Sequence, residues 1–113
     1  MGFRYLLVNE GRIYFEGQQT INIMLFMIIE RFHSGKVKDL YKRFDEKGRM
    51  LPEGMTYINS WINEEVTLCY QVMESDNEEK IHEWIAKWND LADFTIIPVI
   101  TSAQAKEKVF AKS

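Results

Sequence analysis

The chain has 113 residues and carries 14 basic against 17 acidic side chains, so its formal net charge is −3 with both histidines neutral. This length corresponds to one domain, and 46% apolar with 27% charged residues is ordinary for a globular protein. The negative balance argues against a nucleic-acid binder, because such proteins need a basic surface to neutralise phosphates.

Cysteine content and hydropathy exclude further classes. Cys69 is the only cysteine, which excludes an intramolecular disulfide and a multi-cysteine metal site and favours a reducing compartment. The longest apolar run, Ile23–Ile29, is far shorter than a membrane span, and Tyr5–Val8 is too short for the core of a signal peptide. We therefore expect a cytoplasmic protein that makes no membrane contact.

Residues 1–23 differ in character from the rest and are interpreted as an accessory N-terminal extension of the main domain, residues 24–113. Two β-prone segments flank the turn-forming Asn9-Glu10-Gly11, which is consistent with a β-hairpin, and residues 16–20 are predicted to form a linker. The alternative is an extension that precedes an internal start at Met24.

The main domain begins with a predicted strand, Met24–Phe32, which is apolar on both faces up to Glu30. A helix follows, because apolar residues recur at i, i+3, i+4 and i+7 from Val37 to Phe44 with charged residues between them. Gly48 and the residues after it end this helix.

Two further strands, Met55–Asn63 and Val66–Met73, predict an antiparallel hairpin closed by a tight turn at Glu64-Glu65. Simple alternation along the first of them places Tyr57 and Trp61 on the same face of the sheet.

A second helix is predicted from the apolar spacing between Ile81 and Ala92, which places Trp84 and Trp88 on one helical face. Ser75 precedes this helix at the first position of a capping box. Core packing is one interpretation of the two tryptophans, and the wall of a site for a planar ligand is the other.

The chain ends with a fourth predicted strand, Phe94–Ile100, and a short helix that Thr101-Ser102 would cap. Pro98 lies inside this strand and cannot donate a ladder hydrogen bond, which favours a position at the sheet edge.

The order β-α-β-β-α-β predicts an α+β, ferredoxin-like fold, with two helices on one face of a four-stranded antiparallel sheet and the first and third strands at its centre. The strands carry large apolar residues on both sides, and an uncovered face of this kind would be a large apolar patch. We therefore expect a homodimer that packs sheet against sheet.

Several segments together carry a family resemblance: ERF (30–32), GRMLPEG (48–54), SW (60–61), CYQVME (69–74), EW…W.DL (83–91) and DF…PV.TSA (93–103). From Met24 to about Ala105 the chain resembles an uncharacterised bacterial family known as a domain of unknown function, which is similar to the dimeric α/β-barrel superfamily. The resemblance implies the fold and the homodimer. Distant members of that superfamily include cofactor-free monooxygenases, haem-degrading enzymes, isomerases and stress-response proteins, but their catalytic motifs do not map onto residues here, so no catalytic role is carried over.

A candidate ligand pocket follows from the polar and aromatic residues of the strands and second helix. Glu30 ends an apolar strand and is costly to bury without a partner, so it is either a general base or orienting acceptor in a pocket, or one half of a structural ion pair. Its partner in such a pair would be Arg31, Arg43 or Arg49, whereas in the pocket interpretation Arg49 would bind an anion. The candidate pocket residues are Glu30, Arg49, Tyr57, Trp61, Gln71, Trp84 and Trp88.

No metal site or cofactor is predicted. His33 and His82 lack the spacing of metal ligands, and Glu78 one turn before His82 makes a pair rather than a site. Cys69 lacks a neighbour that would lower its pKa and is predicted to act as a small buried apolar residue.

Two functions remain open. The first is a small-molecule-binding homodimer, possibly a cofactor-independent enzyme of the monooxygenase or isomerase-like barrel type, with a pocket for a small apolar or aromatic ligand. The second is a non-catalytic dimerisation or protein-interaction module whose aromatic residues form a packed core.

Overall fold

The strands and helices follow the predicted order from Met24 onward. The computed structural model describes residues 5–9, 12–15 and 20–111. Its elements are β1 (Tyr5–Asn9), β2 (Arg12–Phe15), β3 (Thr20–Asn22), β4 (Met24–Phe32), α1 (Val37–Lys47), β5 (Met55–Ile62), β6 (Leu68–Ser75), α2 (Glu78–Ile85), β7 (Ala92–Val99) and α3 (Ser102–Ala111).

Strands β1, β2 and β3 form a three-stranded antiparallel sheet in that order. Asn9 of the predicted turn ends β1, and Thr20, the last residue of the predicted linker, begins β3. The rest of that turn, Glu10-Gly11, and residues 16–19 of that linker lie outside the described residues. The separation of an accessory extension from the main domain therefore stays a prediction.

The second sheet has the order β5-β6-β4-β7, and all of its neighbouring strands are antiparallel. This confirms the ferredoxin-like α+β fold, with β4 and β6 at the centre and β5 and β7 at the edges. Pro98 lies in β7, where an edge strand tolerates a residue that cannot donate to the ladder.

One face of this sheet packs against helices α1 and α2. Phe26 and Ile28 of β4 and Met73 of β6 are fully buried there, because alternate residues of each strand point to the same side. Helix α1 contributes Leu40 to this core and α2 contributes Ile81 and Trp84, among others.

The other face of the sheet carries Leu25, Met27 and Ile29 of β4, which are partly buried. Trp61 and Ile97 on the same face are 56% and 40% exposed. The described part of the chain therefore presents a broad apolar surface on the side of the sheet that faces away from α1 and α2.

A β-bulge in β5 corrects the predicted alternation. The register of β5 against β6 shifts between Tyr57 and Asn59, so Ile58 is the extra residue. Ser60 and Ile62 therefore lie on the same face as Tyr57, and Trp61 lies on the opposite face. The prediction that Tyr57 and Trp61 share a face was wrong.

The hairpin connection between β5 and β6 is longer than predicted, since β6 begins at Leu68 rather than at Val66. The Asn63 side chain organises it, because its Oδ1 accepts hydrogen bonds from the backbone N–H groups of Thr67 and Leu68, both at 2.8 Å. Val66 takes a left-handed backbone conformation with φ of 58° inside this connection.

Both ends of α2 differ from the prediction. The N-cap is Asn77, whose side chain accepts from Lys80 N at 3.0 Å, whereas Ser75 is buried at the end of β6. The helix ends at Ile85 and continues as tighter turns, in which Trp88 N donates to Ile85 O at 2.9 Å. The apolar spacing nevertheless places Trp88 in the core, as the sequence predicts.

Helix α3 is capped as predicted at Thr101. Gln104 N donates to Thr101 Oγ1 at 3.1 Å, and Thr101 N donates back to Gln104 Oε1 at 2.8 Å, which is the reciprocal pattern of a capping box. None of the described residues of α3 is buried. No helix in the described ranges has the length and apolar character needed to cross a membrane.

Candidate functional site

A partly open cavity of about 160 Å³ lies between the sheet and helices α1 and α2. Residues on the helix-facing side of β4, β5 and β6 form one wall, and residues of α1, of the loop after α1, and of α2 and the turns after it form the other. Among the predicted pocket residues it is lined by Glu30, Arg49, Gln71, Trp84 and Trp88.

Two predicted pocket residues do not line the cavity. Tyr57 lies next to it, because its ring stacks under the guanidinium of Arg49 and its hydroxyl is 2.6 Å from Ser60 Oγ. Trp61 lies on the far side of the sheet because the bulge at Ile58 turns it away.

The cavity is also lined by residues that are not among the predicted pocket residues. Leu40, Tyr41 and Phe44 of α1 line it, together with Phe32 of β4 and Ile62 of β5. The helical spacing from Val37 to Phe44 identified the inward face of α1. It carried no information about the gap between that face and the sheet.

Glu30 is the buried carboxyl of the cavity, with 6% of its surface exposed. It lies opposite Cys69 in the β4–β6 register, and Gln71 Nε2 donates to Glu30 Oε1 at 2.7 Å. Burial raises the pKa of Glu30 to about 7, against the opposing effects of the Gln71 hydrogen bond, the charge of Arg49 and a hydrogen bond from Cys69. Glu30 can therefore gain or lose a proton near neutral pH.

The described residues do not show the ion-pair interpretation of Glu30, because none of Arg31, Arg43 and Arg49 lies within salt-bridge distance of it. Arg31 points to the other face of the sheet, where its Nη1 is 3.3 Å from Thr95 Oγ1. Arg43 instead forms a bidentate pair with Asp90, at 2.8 and 2.7 Å. Burial raises the Glu30 pKa, and the more distant charge of Arg49 offsets only part of that rise.

Two tryptophans hold the backbone of Arg49, and two aromatic rings contact its side chain. Its carbonyl oxygen accepts hydrogen bonds from Trp84 Nε1 at 2.8 Å and from Trp88 Nε1 at 3.1 Å. Its guanidinium carbon lies 3.5 Å from the ring centroid of Tyr57 and 5.0 Å from that of Phe44. The two tryptophans therefore position Arg49 as well as filling the core.

The loop around Arg49 has an unusual backbone. Gly48 and Met50 on either side of it have φ of 68° and 60°, and the second value is uncommon for a residue with a side chain. Lys87 Nζ donates to Met50 O at 2.9 Å, which adds a third hydrogen bond to this loop from α2 and the turns after it. These contacts hold the loop in a conformation that turns the Arg49 side chain toward the cavity.

Cys69 is buried beside Glu30, and burial together with the negative charge of Glu30 raises the pKa of its thiol to about 12. At that pKa the thiol is protonated at neutral pH and is a poor nucleophile. Tyr41 across the cavity has its pKa raised as well, first by burial. Near neutral pH the only one of these three groups that changes charge is Glu30.

The two histidines lie away from the cavity lining. The Nδ1 of His33 is 3.2 Å from the carbonyl oxygen of Asp90 and its Nε2 is 3.0 Å from Asp93 Oδ1. His82 pairs with Glu78 at 3.2 Å. Within the described ranges, no group of three or more His, Cys, Asp or Glu side chains is placed to hold a metal ion.

The site thus combines an apolar cavity, a buried carboxyl that can gain or lose a proton near neutral pH, and a guanidinium on an aromatic platform. Such a carboxyl can donate or accept a hydrogen bond and can exchange a proton with a bound molecule. The guanidinium can bind an anionic or carbonyl oxygen through its fork of N–H donors.

Comparison with known proteins assigns a family. No curated protein and no solved structure matches the chain. A family model described as "Domain of unknown function (DUF3303)" matches residues 24–113, which begin at the first residue of β4. The similarity to the dimeric α/β-barrel superfamily stays a prediction. The match covers most of the chain, which therefore belongs to the DUF3303 family.

Proposed function

We propose that this protein binds a small, largely apolar molecule in the cavity between the sheet and helices α1 and α2. The observation that carries the proposal is the buried carboxyl of Glu30 in a largely apolar cavity, with no cation of the described residues within salt-bridge distance of it. Burying a carboxyl costs free energy that well-packed apolar residues would avoid, so a polar group in such a place is typical of a binding site.

The size of the cavity limits the ligand. A cavity of about 160 Å³ is smaller than the several hundred Å³ of pockets for drug-sized ligands. An apolar cavity of about 150 Å³ in a protein core can hold one benzene molecule. The expected ligand is therefore a single ring or a short chain, in agreement with the predicted small apolar or aromatic ligand.

The same groups support a cofactor-independent enzyme as an extension of the binding function. A carboxyl with a pKa of about 7 is close to the optimum for a general acid or base at neutral pH. Glu30 would carry the proton, and Arg49 would bind the oxygen at which charge develops.

The binding function is tested with benzyl alcohol, a neutral single-ring probe, added to ¹⁵N-labelled protein. The three tryptophans each give an indole N–H signal, and two of them report from the cavity lining. We expect shifts at Trp84 and Trp88 and little change at Trp61, which lies on the other face of the sheet. Saturating shifts support the proposal, and no shift at Trp84 or Trp88 at millimolar probe overturns it.

A matched pair of variants on β5 provides the control. Ile62 lines the cavity, whereas Ile58 lies at the bulge outside the lining and is 47% exposed. We expect Ile62→Phe to narrow the cavity and reduce the shifts, and Ile58→Phe to leave them unchanged. Equal effects of the two substitutions would contradict binding in this cavity.

The second candidate function is a dimerisation module, supported by the apolar face of the sheet that turns away from the helices. Trp61 and Ile97 on this face are both exposed. We propose that a second copy of the chain covers this face. Binding in the cavity and pairing through the opposite face are compatible, because they use different sides of the same sheet.

A further inference from the structure

The Arg49 guanidinium identifies the chemical class of the ligand. Among the residues the structure describes, this guanidinium has aromatic contacts with Tyr57 and Phe44 but no hydrogen-bond acceptor and no carboxylate partner. A guanidinium carries five N–H donors in a planar fork that matches a carboxylate. A partly buried fork without an acceptor, in the wall of a cavity, is suited to an anionic ligand.

The rest of the cavity limits the body of that ligand. Trp84, Phe32 and Leu40 contribute apolar surface, and the volume is that of one small ring. A ligand with its carboxylate at Arg49 and its ring among these side chains satisfies both ends of the site. Its carboxylate would then share the cavity with Glu30.

Two carboxylates in one small cavity cannot both stay ionised without cost, because like charges in a poorly solvated site repel strongly. Glu30 can relieve this repulsion by taking a proton from solvent, after which its O–H can donate a hydrogen bond to the ligand. Gln71 Nε2 can continue to donate to Glu30 Oε1 in either state, so protonation requires no rearrangement of the strand.

We propose that the cavity binds a small monocarboxylate with an apolar ring or short-chain body, that Arg49 binds its carboxylate, and that Glu30 takes up one proton from solvent on binding. This inference rests on the proposed binding function and adds to it the charge of the ligand and the coupling to a proton.

The other titratable groups around Glu30 should not contribute to the pH dependence of ligand binding. Those that face it are Tyr41 of α1, Cys69 of β6 and Arg49 of the loop, while its β7 neighbour is Phe94 and the α2 side of the cavity presents tryptophans. Tyr41 and Cys69 have pKa values raised above their ordinary values. Between pH 6 and 9 the group in this cluster that titrates is Glu30.

The probe is benzoate, with benzyl alcohol as its neutral control, and indole N–H shifts of Trp84 and Trp88 give the dissociation constant at each pH. Because only the protein with a protonated Glu30 binds the anion, the benzoate dissociation constant should rise about tenfold per pH unit above pH 7. Benzyl alcohol should show no such rise. In Glu30→Gln the benzoate affinity should be independent of pH from 6 to 9.

Arg49→Met tests the carboxylate contact and leaves the backbone carbonyl that Trp84 and Trp88 bind. We expect it to weaken benzoate by about 10- to 100-fold, the range for a charge-assisted hydrogen bond, and to weaken benzoate more than benzyl alcohol, because only benzoate presents a carboxylate to the guanidinium. Lys42→Gln is the matched control, since it removes one positive charge from an exposed position on α1 and should change neither affinity.

The outcomes separate the inference from the proposed function. Benzyl alcohol binding without benzoate binding would overturn the carboxylate inference and keep the binding cavity. Benzoate binding that is independent of pH in the unmodified protein would overturn the proton uptake by Glu30, and this arm requires no variant to fold. Binding of neither probe would overturn both proposals.

Discussion

At the scale of a single residue, the ionisation of Glu30 makes the stability of the fold depend on pH. Its pKa rises from 4.5 to about 7 on folding because burial disfavours the ionised form. Between these values the folded state keeps the proton that the unfolded state has lost, so stability falls as pH rises. Below pH 4.5 both states are protonated and above about pH 7 both are ionised, which confines the loss to this window.

Glu30→Gln should remove this pH dependence, because an amide of nearly the same shape does not ionise. Its free energy of unfolding should match that of the unmodified protein near pH 4.5 and exceed it by up to roughly 3 kcal/mol above pH 7. Urea unfolding from pH 4.5 to 8 measures the difference. His33 also loses stabilisation as pH rises, because hydrogen bonding to Asp93 raises its pKa, but it is present in both proteins.

The control for this comparison is Glu46→Gln, which changes an exposed carboxyl on α1. Its pH profile should follow that of the unmodified protein. Parallel profiles for Glu30→Gln and the unmodified protein would show that Glu30 ionises normally in the fold.

Cys69 gives a second prediction at this scale. With a thiol pKa of about 12, its thiolate population at pH 8 is roughly a thousandfold lower than that of an ordinary cysteine. Iodoacetamide should therefore label the native protein far more slowly than the urea-unfolded chain, as followed by mass spectrometry. Native labelling at the unfolded rate would identify a reactive thiol beside Glu30.

The loop between α1 and β5 shows how separate elements build the site. Trp84→Phe and Trp88→Phe each remove one of the two indole donors to the Arg49 carbonyl, and each should cost about 1 kcal/mol of unfolding free energy beyond any loss of packing. The double variant leaves the carbonyl without either donor. Its loss should exceed the sum of the single losses by roughly 1 kcal/mol in urea unfolding.

Trp61→Phe is the control for this double-mutant cycle, because Trp61 lies on the other face of the sheet and is 56% exposed. Its effect on the free energy of unfolding should add to that of Trp84→Phe or Trp88→Phe, because Trp61 shares no hydrogen-bond partner with either residue. Strict additivity of the Trp84 and Trp88 substitutions would mean that the two indoles do not share the Arg49 carbonyl.

Element order was predictable from the sequence, whereas details that depend on distant contacts were not. The strand Met24–Phe32 was predicted with its observed bounds, because its apolar run and flanking polar residues are local features. The bulge at Ile58 depends on pairing with β6 and leaves no mark in the alternation of β5. The cap at Asn77 replaces Ser75 because Ser75 completes a buried strand.

The candidate site was likewise predictable from the sequence only in part. Glu30 and Gln71 were identified because polar residues in apolar strands are conspicuous in the sequence. The orientation of Arg49 depends on Trp84 and Trp88, which are 35 and 39 residues away along the chain, so no local pattern could predict it. Trp61 is a predicted pocket residue only because simple alternation, without the bulge, places it on the same face as Tyr57.

At the scale of the whole molecule, the apolar face of the four-stranded sheet that turns away from α1 and α2 is the surface that we expect a partner to cover. A two-fold dimer would bury this face against the same face of a second copy, so each interface residue would occur twice in the interface. We expect sedimentation velocity at micromolar concentration to give a dimer. A monomer under these conditions would remove the proposed sheet-to-sheet interface.

Ile97→Lys tests which face forms this dimer, because Ile97 lies on the second face of the sheet and is 40% exposed. Two-fold symmetry would bring two unpaired lysines into the buried interface, so the dimer dissociation constant should rise by about 100-fold or more. Val109→Lys on α3 is the matched control at a position that is 67% exposed, and it should leave the dimer intact. If Val109→Lys dissociates the dimer and Ile97→Lys does not, the interface lies at the C-terminal helix, and the apolar face of the sheet needs a different partner.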